Sequence, residues 1–127
     1  EQQARLKQLR VAFYSEQLAL TMGEAQQFWP VVEAHEAAAA AHQTQMRALM
    51  EKRPATEAEA ETLIGAMAAH RKAEIDLETE LLLELLPILG AERAVGFPRL
   101  KQEFRRSILE AARKRTGGKP GGLPPRR

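Results

Sequence analysis

Residues Arg53–Leu86, RPATEAEAETLIGAMAAHRKAEIDLETELLLELL, decide the fold. Pro54 breaks the helix before it, and Thr56-Glu57-Ala58-Glu59 reads as a capping box. In that motif the Thr oxygen accepts an orphan backbone N–H and the Glu carboxylate reaches back to the cap. From there to Leu86 no Pro intervenes and Gly65 is the only glycine. The spacing therefore predicts one helix of about 45 Å at a rise of 1.5 Å per residue. Its main stripe, Leu63, Met67, His70, Glu74, Leu77 and Leu81, advances in steps of 4, 3, 4, 3 and 4. That is a coiled-coil seam with two polar residues in its middle.

Upstream, residues 2–18 form a first predicted helix with Leu6, Leu9 and Phe13 on one face and Leu20 closing it. Leu20-Thr21-Met22-Gly23-Glu24 is a second capping box, so a new helix starts at about Met22. Pro30 falls inside its pattern, which predicts a kink near Phe28–Trp29. The stripe Phe28, Val32, His35, Ala39, His42, Met46, Leu49 then repeats at 4 and 3, and the run Ala37–Ala41 keeps one segment slim. This helix ends near Lys52, and Arg53–Thr56 is a short turn suited to an antiparallel hairpin.

Downstream, Leu81–Leu86 is apolar almost all round and must be covered, by the first and fourth helices or by a second copy. Pro87 and Gly90 end or kink the long helix. A fourth helix follows over about Ala91–Arg115, bent at Gly96-Phe97-Pro98, with Leu100, Phe104, Ile108 and Ala111 as its stripe. Thr116–Arg127 (TGGKPGGLPPRR) has no pattern that could pack and reads as a disordered tail. The expected fold is all-α: one helical-hairpin domain over residues 1–115, four helices with kinked flanks, and a tail over 116–127.

At 127 residues the chain holds one modest core. It has no Cys, which removes thiol catalysis, thiolate metal sites and disulfides without fixing the compartment. No run approaches the ~18 apolar residues of a membrane span. The first residue is Glu1 and not Met, so the chain is read as processed or trimmed, with any signal peptide or membrane tether upstream and out of view. The net charge of +2 conceals an asymmetry: residues 1–90 hold 8 Lys/Arg against 14 Asp/Glu, residues 91–127 hold 11 against 3. A basic C-terminal part on an acidic body suits head-to-tail pairing or an anionic partner, and a solvated helix face explains it more simply.

A faint echo joins the two ends of the hairpin. Glu24 stands six residues before Pro30, which follows Trp29, and Glu92 stands six before Pro98, which follows Phe97. The order of helix, L-T-x-x-(E/Q) turn, kinked helix, long hairpin, second such turn and basic last helix resembles the bacterial periplasmic LTxxQ group. That group includes Spy- and CpxP-type stress chaperones, zinc-resistance-associated proteins and CnrX-type metal sensors. The resemblance covers about residues 6–115. Leu20-Thr21-Met22-Gly23-Glu24 matches the first motif with Glu24 where the family has Gln, and Leu89-Gly90-Ala91-Glu92-Arg93 resembles a degraded second copy. Phe28-Trp29-Pro30 looks most like sensor-like members found beside extracytoplasmic sigma-factor systems. The resemblance implies a homodimer with a cradle-like concave surface, a periplasmic location and no catalysis. Leu20, Thr21, Glu24, Pro30 and Pro98 are its structural markers.

The one constellation that could carry chemistry is His and Glu on the hairpin seam. With the turn centred near residues 54–55, residue i lies opposite about 109 − i, which places His35 opposite Glu74 and Ala39 opposite His70, with His42 a turn away. Imidazoles and a carboxylate suit zinc, nickel, cobalt or copper, so His35, His70, Glu74 and His42 are candidate ligands. CnrX-type sensors resemble this in using His and Glu here, though Ala39 stands where their second His would be. The simpler reading is a hydrogen-bonded His35–Glu74 pair that fixes register, and a pH switch is a third. A phosphate loop, H-E-x-x-H and a Ser elbow are all absent, so no catalytic residues are assigned and no cofactor is expected, a metal at these residues being the alternative.

Trp29, Met22 and Met50, with Arg105 and Arg106, are candidates for binding protein clients or a signalling partner, because Met suits adaptable surfaces. The expected function is accordingly a non-enzymatic periplasmic stress sensor or chaperone-like protein. A heavy-metal sensor is the first alternative and a basic nucleic-acid or scaffold-binding module the second. Arg113–Arg115 are explained by the helix dipole without a ligand, and no aromatic residues interleave with the basic ones, so nucleic acid is not the expected partner.

Overall fold

The computed structural model describes residues 2–116, all four expected helices and, among those residues, no strand. They are α1 (Gln2–Leu18), α2 (Met22–Met50), α3 (Glu57–Leu89) and α4 (Ala91–Thr116). The tail expectation for residues 117–127 lies outside the described residues. Pro30, Pro87 and Pro98 all fall inside helices that continue past them. Thus α3 does not stop at Pro87 but runs to Leu89, where Gly90 caps it with φ 88° and ψ 169°.

The caps behave as their side chains dictate. At α2 the Thr21 Oγ1 accepts from Glu24 N at 3.1 Å, and Glu24 Oε1 accepts from Thr21 N at 3.1 Å, a complete capping box. At α3 the Thr56 Oγ1 accepts from Glu59 N at 3.1 Å, but the returning carboxylate takes Ala55 N at 2.8 Å and not the cap's own N–H. The extended Thr56 backbone, φ −129° and ψ 163°, carries the Ala55 amide into reach.

The described residues fall into two compact units, one of residues 2–20 with 95–116 and the other of Thr21–Ala94. In the first unit, described over 2–20 and 95–116, α1 meets α4 through aromatic rings. Phe13 lies 5.3 Å from Phe104 and Tyr14 lies 5.3 Å from Phe97, centroid to centroid, and both Tyr14 and Phe97 are buried. α1 ends with Ala19 in the left-handed region, φ 51°, where Leu20 N bonds back to Ser15 O at 3.2 Å. This is a Schellman-type stop built on Ala in place of the usual Gly.

In the second unit α2 packs along α3 as an antiparallel hairpin. Phe28 and Leu85 are wholly buried, as nearly are Val32 and Leu81. The positions that come level sum to 112 or 113, not 109, as His42 with His70 and His35 with Glu78 show. The physical reason is an asymmetric turn. Residues 52–56 leave the helix and run beside the first turns of α3, where Leu49, Lys52, Pro54, Ala58, Thr62 and Leu63 line a groove. α3 therefore starts beyond the end of α2. The slip moves Ala73, half-buried, level with Ala39 and leaves Glu74 exposed.

Two backbone substitutions test these stops in opposite senses. Ala19→Gly relieves a left-handed Ala and should stabilise by about 1–2 kcal/mol. Gly90→Ala forces a Cβ into a conformation that only Gly adopts readily and should cost about 1–3 kcal/mol. Urea unfolding of the two variants beside the parent checks both signs.

Candidate functional site

The best-defined polar arrangement lies where α2 begins and α3 ends. Glu24 enters through the capping box, which leaves its carboxylate pointing along the start of α2. Gly90 turns the chain from α3 into α4, so Arg93 falls in the first turn of α4. Its Nη2 donates to Glu24 Oε2 at 2.7 Å, its Nη1 to Glu24 Oε1 at 3.2 Å, and its Nε to Leu89 O at 2.9 Å. A planar guanidinium thus grips a carboxylate with two parallel bonds and holds a carbonyl at the end of α3 with its third side. The Glu24 carboxyl is held below its ordinary pKa of 4.5, first by the Arg93 hydrogen bond and then by the Thr21 backbone N–H. Arg93 is correspondingly pushed further up by Glu24.

Further along the seam are two polar layers. His35 Nε2 lies 3.8 Å from Glu78 Oε1, with the imidazole only 11% exposed. Two helical turns on, about 10.5 Å, His42 Nδ1 and His70 Nδ1 approach to 3.3 Å with rings nearly perpendicular at 81°. One Nδ1–H must donate to the other Nδ1, so the accepting ring is neutral while the bond lasts.

The expected ligand set therefore divides. His42 and His70 come together across the hairpin, His35 belongs to a separate layer with Glu78, and Glu74 is exposed and in neither. The expected His35–Glu74 pair is replaced by His35–Glu78 because of the register slip. No group of three His, Cys, Asp or Glu is gathered to hold one metal ion among the described residues. Of the binding candidates, Met22 and Met50 stand 80% and 62% exposed, and Arg105 and Arg106 are exposed on α4. Trp29 is half-buried with its ring edge-on to Phe28 at 4.8 Å, so part of it belongs to the core. Leu20 is half-buried beside the Thr21 cap, Pro30 is exposed within α2 and Pro98 half-buried within α4.

Two residues escaped the sequence reading. Glu78 sits one turn beyond Glu74 and is found by shifting the register. Arg93 is hidden because the echo of the two turns points to Glu92, which is exposed, while its neighbour is the partner of Glu24. No family model, no curated protein and no solved structure matches the chain.

The clamp has a pH signature. A carboxyl whose folded pKa is depressed adds stability above its unfolded value and loses it as pH falls through the folded value. Thermal stability should therefore drop as pH falls from about 5 through the acid range. The Glu24→Gln variant, which keeps an acceptor for the cap but carries no charge, should start lower at pH 7 and show a shallower acid limb. Melting curves of the two proteins between pH 3 and 7 measure the difference.

Proposed function

We propose that this chain is a non-enzymatic protein that works by binding other polypeptides: a periplasmic stress sensor or chaperone-like protein that takes protein clients or a signalling partner on apolar and basic surface. The observation that carries the reading is the exposure of flexible apolar side chains at both ends of α2. Met22 is its first residue and Met50 its last, and both are open to solvent. An unbranched thioether conforms to many partners, so exposed Met suits a surface that accepts varied apolar segments. Exposed Arg105 and Arg106 would add attraction for acidic segments. The periplasmic location rests on the resemblance carried by Leu20–Glu24.

The test is suppression of aggregation. A chemically unfolded model protein diluted into buffer should scatter less light when this protein is present at equal concentration. Met22→Gln/Met50→Gln should lose most of that protection while keeping its helical signal and melting point. Client scattering that rises as fast with the parent protein as without it overturns the reading.

A second reading, a zinc, nickel, cobalt or copper sensor or resistance protein, is favoured by one distance. Tetrahedral zinc with Zn–N bonds of about 2.0 Å has ligand-to-ligand edges of about 3.3 Å. The His42 and His70 Nδ1 atoms are 3.3 Å apart. They would supply two of four ligands, the others coming from water or another molecule. Calorimetric titration of tag-free, metal-stripped protein should then show binding that His42→Ala or His70→Ala abolishes and that His35→Ala or Glu74→Ala preserves. Absence of binding by the parent protein removes this reading.

A further inference from the structure

The unit built from α1 and α4 carries most of the positive charge of the chain. Its described residues, 2–20 and 95–116, hold 10 Lys/Arg against 3 Asp/Glu, whereas Thr21–Ala94 holds 6 against 13. The same unit has an open apolar groove. Phe13 and Phe104, whose numbers sum to 117, close the seam between the two helices with ring centroids 5.3 Å apart. Continuing that antiparallel register by one and two turns brings Leu9 level with Ile108 and Leu6 level with Ala111. There the seam stays open. These four side chains line a groove of about 540 Å³, and Leu6 and Leu9 are each 44% exposed. The methyl group of Ala111, opposite Leu6, leaves space that a larger residue would fill. We propose that this groove docks the protein on an anionic lipid bilayer, taking acyl chains between α1 and α4 while arginines at its mouth meet the headgroup phosphates.

Charge and apolarity meet in one place. Arg5 and Arg115 also line the groove, both are exposed, and neither forms an ion pair among the described residues. Ile108, Ala111 and Arg115 define the line along which α4 faces the groove. At 100° per residue, Arg105 and Lys114 stand about 90° to either side of that line, so a cation flanks it on both sides. The acidic residues stand further off: Glu103 and Glu110 are about 115° and 135° round α4, and Glu16 lies beyond the Phe13 layer. A surface that is apolar along its middle and cationic along its rims matches the boundary between acyl chains and phosphates. The apolar side chains sink into that boundary and the arginine stems reach outward to the headgroups. A nucleic acid would engage the cations alone, since it has no hydrocarbon to enter the groove and no lining residue is aromatic for a base to stack on. Neither a client nor a metal is needed, so the docking stands apart from the function proposed above.

Co-flotation of the full chain with lipid vesicles tests the proposal. Vesicles of phosphatidylcholine and phosphatidylglycerol in equal parts should carry the protein up a density gradient, and vesicles of phosphatidylcholine alone should carry far less. Arg5→Gln/Arg115→Gln should weaken binding about 25-fold, roughly fivefold for each charge removed near an anionic surface. Leu9→Gln should weaken it about tenfold through lost apolar burial. Ala111→Glu changes an exposed position, so it should abolish flotation with helical content and melting point unchanged. No flotation of the parent protein on the anionic vesicles, equal flotation on the neutral ones, or binding that Leu9→Gln and Ala111→Glu leave intact overturns the docking. The last result, joined to salt-sensitive binding of a single-stranded oligonucleotide, would make this unit a general polyanion surface instead. Client protection without vesicle binding refutes the lipid docking alone. Vesicle binding without client protection refutes the client-binding reading alone.

Discussion

Arg93 is bonded on three sides: twice to the Glu24 carboxylate and once to the Leu89 carbonyl. Those three contacts close the end of the hairpin remote from its turn. Glu24 is already committed, since its carboxylate completes the cap of α2, so the start of that helix and the end of α3 become one hydrogen-bonded assembly. Gly90 makes this feasible. Its positive φ, which a side chain would strain, reverses the chain soon enough for Arg93 to reach back over the final turn of α3. The pair is about one-third exposed, so its worth lies in bidentate geometry and in fixing position more than in bare Coulomb attraction.

The register that the turn sets is held at this end as well. Glu24 and Leu89, the two groups that Arg93 joins, sum to 113, as do Phe28 with Leu85, Val32 with Leu81 and His35 with Glu78. His42 with His70 sums to 112. Apolar layers alone permit slippage by a turn with modest loss, whereas a misplaced polar layer leaves its partner unsatisfied. The histidine pair and the His35–Glu78 layer therefore discriminate between registers as well as offering chemistry. With the seam so placed, Ile64, Ile75 and Leu86 face outward, away from α2. The same constraint that brings two imidazoles together thus decides which apolar side chains reach solvent.

Much of this was legible in the residues. Apolar spacing located all four helices to within a few residues, and Thr21 with Glu24 announced its capping box from five letters of sequence. What stayed hidden was three-dimensional. A hairpin's register depends on the path of its turn, and the extended stretch 52–56 shifts that path by an amount that spacing does not encode. Glu74 fell on a perfect 4-3 stripe yet is exposed, because Ala73 is the residue that comes level with Ala39 and a long charged side chain turns outward beside the seam. Arg93 lay in a basic helix whose charges read as a solvated face, and nothing local marks it off from Arg99 or Arg105. Pro87 shows the converse limit: a strong local breaker is carried within α3 because the surrounding apolar residues hold the helix in place.

The central claim is that the Glu24–Arg93 contact holds the hairpin in this register. A double-mutant cycle in urea tests it most directly, with Glu24→Gln, Arg93→Gln and the two combined. Each single change should lower the unfolding midpoint, Arg93→Gln further because it also releases Leu89 O, and the double variant should fall no lower than Arg93→Gln alone. Strictly additive losses would mean that the two side chains act independently, and the account of the closed hairpin would be contradicted.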